Sequence, residues 1–103
     1  MATMIVLVNL REGTDPEDYE RWIEETYSPA VMNLKSVDDW RGYRVGGLLE
    51  SGAAPPCQYV VLVEVNDPEQ LGQDIQSEEV QRLLAELGRF AEPPTQLITE
   101  RFV

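Results

Sequence analysis

Glu64 is the residue hardest to assign to packing alone. It lies near the end of Cys57–Val65 (CQYVVLVEV), a run that is otherwise almost wholly apolar. A carboxylate in such a run is costly unless it is paired or takes up a proton. A raised pKa would let it serve as a general acid or base near neutral pH. The plain alternative is a rim position beside water, or an ion pair with Arg41 or Arg44. Arg44 is the natural second member of a catalytic pair, because a guanidinium can stabilise a developing oxyanion or hold a carboxylate. It can equally do no more than offset part of an acidic surface.

Six residues are candidates to bind a substrate. Tyr19, Trp22 and Tyr27 fall at helical spacing and would form a flat aromatic wall, with a hydroxyl to hold a carbonyl. Any helix packed on a sheet needs such a stripe, so core packing explains it too. Trp40 and Tyr43 flank a stretch interrupted by Gly42, Gly46 and Gly47. In a regular strand these two aromatics have opposite parity and can line one pocket only if a bulge intervenes. Asn9 is the polar member of the apolar run Met4–Leu10 and either offers an amide to a pocket or marks the strand end. Tyr59 has the parity opposite to Glu64. If Glu64 enters a helix-side pocket, Tyr59 faces away from it.

The missing residue types narrow the chemistry. Histidine is absent, so Ser-His-Asp and Cys-His arrangements cannot be assembled from this chain. No Cys/His spacing suits zinc, and no metal is expected. No G-x-G-x-x-G turn follows the first apolar run and no Walker A motif occurs, so no nucleotide cofactor is implied. Cys57 is the single cysteine, which rules out an internal disulfide. Beside Pro56 and without a histidine partner, it reads as structural.

The chain carries 19 acidic and 8 basic side chains, a net charge of −11. Such a surface repels phosphate backbones and anionic membranes, so neither nucleic acid nor membrane is an expected partner. The run Met4–Leu10 is too short for a signal sequence or a membrane span, which makes a cytoplasmic protein the default expectation.

These residues must be positioned by one domain, 1–103, since the length suits no more. Met4–Leu10 reads as a strand rich in β-branched residues. Asp15 caps a helix with Pro16 at its first position and Glu17 and Asp18 in its first turn. Pro29 argues against continuation past Ser28, leaving residues 30–38 as a loop or short helical turn. Asp39–Glu50 reads as an irregular strand and 51–56 as a connection. Cys57–Val65 is the central strand. Asp67, Pro68 and Gln70 form the signature of a capping box. Ser77 caps another helix, whose stripe is Val80, Leu83, Leu84 and Leu87. Thr95–Val103 is the last strand.

The order β-α-β-β-α-β predicts an α+β, ferredoxin-like domain: a four-stranded antiparallel sheet with helices on one face. Helices can shelter only that face. The other carries enough apolar residues to need cover, and a second copy supplies it, giving a homodimer with a shared barrel-like core.

Three stretches then carry a resemblance: Val8–Trp22 (VNLREGTDPEDYERW), Ser36–Trp40 leading into Tyr43-Arg44-Val45, and Tyr59–Pro68 (YVVLVEVNDP). They cover most of the chain, and the sequence resembles the RedY-like, or HapK-like, family of the dimeric α/β-barrel superfamily. The resemblance implies a homodimer and a role in bacterial secondary metabolism. It implies an enzyme without a bound cofactor, a cyclase, dehydratase or oxygen-dependent oxidase, acting on an aromatic, indolic or polyketide intermediate held between helices and sheet. With Glu64 moving a proton, the expected reaction is cyclisation, dehydration or proton abstraction. Many relatives use a histidine there. Its absence here breaks that pattern and keeps open a protein that binds an intermediate, beside a partner biosynthetic enzyme, without turning it over.

Overall fold

The computed structural model describes residues 2–103. Four strands form one antiparallel sheet: β1 (Ala2–Val8), β2 (Val37–Arg44), β3 (Tyr59–Val65) and β4 (Thr95–Thr99), in the order β2-β3-β1-β4. The helices are α1 (Pro16–Trp22), α2 (Ser28–Met32), α3 (Pro68–Ile75) and α4 (Glu78–Phe90). This is the expected ferredoxin-like α+β arrangement, with the helices on one face.

The caps follow the sequence. Asp15 accepts from the Glu17 amide, Asp67 from the Glu69 and Gln70 amides, and Ser77 from the Val80 amide. Each satisfies an amide that the first turn of a helix leaves without a partner. Only half of the expected capping box forms. The Gln70 side chain donates forward to Asp74 at 2.8 Å instead of turning its oxygen back to accept from the Asp67 amide. Asp74 in turn accepts from Ser36 at 2.7 Å, which ties the start of β2 to α3.

Pro29 does not end the first helix. A π-helical stretch, Ile23–Tyr27, joins α1 to α2, and the Ser28 amide reaches the Ile23 carbonyl five residues back. The wider turn absorbs the proline, whose missing N–H removes a rung that an α-helix would have required. The outer strands are shorter than their apolar patterns predict. β2 ends at Arg44 and β4 at Thr99. Beyond Arg44 only Val45 stays paired, through its amide to the Gln58 carbonyl. The strand expected over 39–50 therefore gives way to a long loop from Gly46 onward.

Alternation along β3 decides which residues reach the helices. Tyr59, Val61, Val63 and Val65 are buried, while Val60, Leu62 and Glu64 are half-buried on the opposite face. Val63 and Val65 are almost fully sequestered, at 2 % and 0 % exposure. Met4, Val6 and Val8 of β1 share the helix side. Thr3, Ile5 and Leu7 share the other. On that helix-free face Ile5 lies opposite both Leu62 of β3 and Leu97 of β4, and Leu7 lies opposite Val60. The single chain thus leaves a band of Ile5, Leu7, Val60, Leu62 and Leu97 without helical cover.

Candidate functional site

The space between the helices and the sheet holds two cavities. The inner one, 110 Å³, is apolar and includes Tyr19, Tyr27, Trp40 and Val63 in its walls. The outer one, 530 Å³, is lined by Tyr19, Glu20, Trp40, Tyr43, Arg44 and Tyr59 among others. Both touch Tyr19, Ile23, Trp40 and Val61, so they adjoin.

Aromatic rings make a continuous chain around this space. Trp40 meets Tyr27 edge-on at 6.2 Å, and Tyr27 meets Trp22 at 5.3 Å. Trp22 meets Phe90 at 5.2 Å. Phe90 meets Tyr19 at 6.3 Å, and Tyr19 meets Tyr59 at 4.9 Å. These separations and tilts are those in which ring quadrupoles attract. The chain fixes α1 and α4 over β2 and β3, and so fixes the shape of the cavities. Gly42 allows the Trp40 ring to lie flat along β2. A Cβ at Gly42 would stand 3.1 Å from Trp40 Cζ3, closer than ordinary contact.

One polar cluster interrupts the aromatic wall. Arg44 Nε donates to Glu20 Oε2 at 2.8 Å, and Arg44 Nη2 donates to Glu20 Oε1. The Tyr59 hydroxyl donates to Glu20 Oε2 at 2.7 Å. Glu20 therefore receives a bidentate guanidinium and a phenol. The hydrogen bonds from Arg44, followed by that from Tyr59, hold its carboxyl down at about 2 against an ordinary value of 4.5. Burial and the bond to Glu20 push Tyr59 up to about 12. Glu20 raises the already high value of Arg44. At neutral pH the cluster is thus a carboxylate, a guanidinium and a neutral phenol. Arg44, whose side chain is 70 % exposed, marks the mouth of the outer cavity. Deeper in, burial pushes the Tyr19 and Tyr27 hydroxyls up as well.

Glu20 also sets a pH dependence. Between about 2 and 4.5 the folded chain holds fewer protons at Glu20 than the unfolded chain does. Its contribution to stability is therefore complete above 4.5 and fades as the pH falls toward 2. The difference in Tm between the unaltered chain and Glu20→Gln should shrink over that interval, as read by thermal melts followed by circular dichroism.

The sequence-based candidates divide between the two faces. Tyr19 and Trp40 line both cavities, Tyr27 lines the inner one, and Arg44 and Tyr43 line the outer. Tyr43 has the opposite parity, beside Val60, yet still borders the outer cavity with Trp40, next to the end of β2 at Arg44. Three residues lie elsewhere. Trp22 turns its indole N–H to Glu86 at 3.0 Å and braces α1 against α4. Asn9 donates to the Pro56 carbonyl at 3.3 Å and pins the β2–β3 loop. Glu64 projects from the helix-free face, because β3 alternates and Tyr59 takes the helix side. There it accepts from Thr3 at 3.0 Å and lies 3.6 Å from Arg41, which also pairs with Asp39 at 3.2 Å. The expectation that Glu64 faces a ligand held beneath α1 is therefore corrected. Glu64→Gln should leave aromatic-ligand affinity within about twofold, measured by quenching of tryptophan fluorescence, since surface changes distant from a site have small effects.

Of the polar cluster, Glu20 and Tyr59 are not among the sequence-based candidates, since that reading sets Tyr59 opposite to a pocket-facing Glu64. Glu20 had a signal, since it directly follows Tyr19 and precedes Ile23 by three positions, at the edge of the apolar stripe. Among the described residues no group of three or more His, Cys, Asp or Glu side chains is placed to hold a metal ion. Nor is any described helix long and apolar enough to cross a membrane.

Residues 2–102 match the family described as REDY-like protein HapK. The crystal structure of HapK from Hahella chejuensis superposes with a TM-score of 0.82 at 22 % identity, covering 99 % of this chain and 93 % of that one. A dimeric ferredoxin-like protein from Thermobifida fusca gives 0.73 at 12 % identity, over 95 % and 88 % of the two chains. SnoaB from Streptomyces nogalater, described as a cofactor-independent oxygenase, gives 0.74 at 9 % identity, over 97 % and 91 %. At these identities the superpositions speak for the fold. No curated protein gives a significant match.

Proposed function

The chain belongs to the REDY-like HapK family, and on that premise we propose that it receives a planar aromatic, indolic or polyketide intermediate of secondary metabolism in the cavity between α1 and the sheet. The observation that carries this reading is the pairing of an aromatic wall with one polar cluster at its mouth: Tyr19, Trp40 and Tyr59 beside Glu20 and Arg44. Such a cavity fits a flat, mostly apolar molecule that brings a single polar edge.

On this reading the chain acts without a cofactor. Arg44 offers its outer N–H groups to a carbonyl or enolate oxygen and stabilises charge that develops there. The aromatic enclosure excludes water and restrains the course of a reactive intermediate. Cyclisation, dehydration and loss of a proton beside a carbonyl all place charge on such an oxygen. The description of SnoaB as a cofactor-independent oxygenase agrees with this reading.

A second reading has its own support. Glu20, the carboxylate that Arg44 and Tyr59 hold, is a poor base because its proton affinity is so low. This favours a protein that holds and presents the intermediate to a partner biosynthetic enzyme. Incubation with the intermediates made by neighbouring biosynthetic genes separates the readings. Conversion seen by chromatography and mass spectrometry supports the enzyme. Saturable binding without conversion supports the holder. Absence of both would overturn the assignment of the cavity.

Two copies pair through the helix-free face, covering Ile5, Leu7, Val60, Leu62 and Leu97. A band of this kind on a small domain needs shelter, and the Thermobifida fusca protein of similar fold is described as dimeric. Glu64, Arg41, Asp39 and Thr3 then form a polar end to that interface.

A further inference from the structure

The hydrogen-bond directions in the outer cavity fix more than its shape. Glu20 is ionised and can only accept. The Tyr59 hydroxyl has one hydrogen, and it points to Glu20 Oε2 at 2.7 Å. What Tyr59 presents to any other group is therefore lone pairs, so toward a ligand it is an acceptor. Arg44 can only donate. Nε and one Nη2 hydrogen are committed to Glu20 and the guanidinium also interacts with the Tyr59 hydroxyl, and of its five N–H groups others stay free. The cavity thus offers a donor from β2 and an acceptor from β3, on residues that lie directly opposite one another in the sheet register. Because Glu20 and Arg44 cancel in charge, no net positive charge remains to attract a carboxylate. The surrounding net charge of −11 opposes one further.

Resting on the cavity assignment above, we infer that this site selects a neutral planar ligand carrying an N–H or O–H donor next to a carbonyl acceptor on one edge, with Tyr59 reading the donor and Arg44 the acceptor. Tyr59 is then a specificity-determining residue, and Glu20 is the positioning residue that turns its hydroxyl into an acceptor. A ligand without the donor leaves the Tyr59 lone pairs buried and unmet, which is where discrimination arises.

Two probes isolate the donor. Methyl indole-2-carboxylate has an N–H beside its ester carbonyl. Methyl benzofuran-2-carboxylate has the same outline with an oxygen in place of the N–H. The unaltered chain should bind the indole ester about fivefold more tightly, the worth of one neutral hydrogen bond, as measured by isothermal titration calorimetry. Tyr59→Phe keeps the ring on Tyr19 and should bring the two affinities to within about twofold. Arg44→Met should weaken both esters and preserve their ratio, which a general loosening of the cavity would not do. Equal binding of the two esters by the unaltered chain would overturn the donor-reading role while leaving the cavity assignment intact. A preference that survives Tyr59→Phe would overturn it as well. Failure of the folded chain to bind either ester would overturn both this inference and the cavity assignment.

Discussion

A chain carrying Ile5→Lys is expected to sediment as a single copy at concentrations where the unaltered chain is paired. Ile5 sits in the middle of the helix-free band, opposite Leu62 on one side and Leu97 on the other. In one isolated copy it is half-buried, so a lysine there can extend its ammonium to water with little harm to the fold. In a pair of sheets packed face to face the same ammonium would be enclosed without a partner, once in each copy. Leaving a charge buried and unpaired costs about 3–5 kcal/mol. The dissociation constant should therefore rise roughly a thousandfold or more. Sedimentation velocity over a range of concentrations measures it. The two cavities lie between the helices and the sheet, away from that band. The separated copy should thus still bind an aromatic ester, more weakly only to the extent that the lone domain is less rigid. Pairing that persists in Ile5→Lys would place the interface elsewhere.

Arg44→Met carries the second large effect. Under the enzyme reading, Arg44 supplies the N–H groups aimed at the oxygen on which charge develops. Removing a donor of that kind lowers kcat by about 10²–10³-fold. Methionine keeps the apolar stem against the wall of the cavity and deletes only the donors. It also leaves Glu20 with Tyr59 as its remaining partner. A fall of about a hundredfold in kcat, with a smaller change in KM, is the pattern of an interaction that strengthens on the way to the transition state. Under the holder reading no turnover is seen with either chain, and the same substitution appears only as weaker binding. A turnover rate unchanged by Arg44→Met would remove Arg44 from the chemistry.

The element order was legible in the sequence because local signals agreed with one another. Asp15-Pro16, Asp67-Pro68 and Ser77 mark helix starts by the chemistry of the first turn, and all three cap as that chemistry requires. The β-branched runs mark β1 and β3. Pro29 misled because its effect depends on the turn around it, and a π-helical turn tolerates what an α-helical one does not. The orientation of β3 could not be read from its residues. With Tyr and Val on one parity and Val and Leu on the other, periodicity does not say which set faces the helices, and the one carboxylate, Glu64, drew attention to the wrong side. The register with β1 and β2 settles the matter by placing Tyr59 opposite Val8 and Arg44. Glu20 was passed over for a related reason. Read along a helix, it is one more acidic residue in a strongly acidic chain. Only the crossing of α1 over the ends of β2 and β3 shows that Arg44 and Tyr59 converge on it. Arg44, Trp40, Tyr19 and Tyr27 were identifiable beforehand because large aromatics and a cationic side chain near glycines are uncommon enough to stand out.

The two tryptophans allow the central assignment to be tested in a single spectrum. Trp40 borders both cavities, whereas the Trp22 indole is bonded to Glu86 on α4 and borders neither. In a ¹H–¹⁵N correlation spectrum of the uniformly labelled protein, each indole N–H gives its own peak, assigned by single Trp→Phe replacement. Titration with methyl indole-2-carboxylate should move the Trp40 peak progressively to saturation and leave the Trp22 peak in place. A saturating shift of Trp22 with Trp40 unmoved would contradict the account, as would two stationary peaks at millimolar ester.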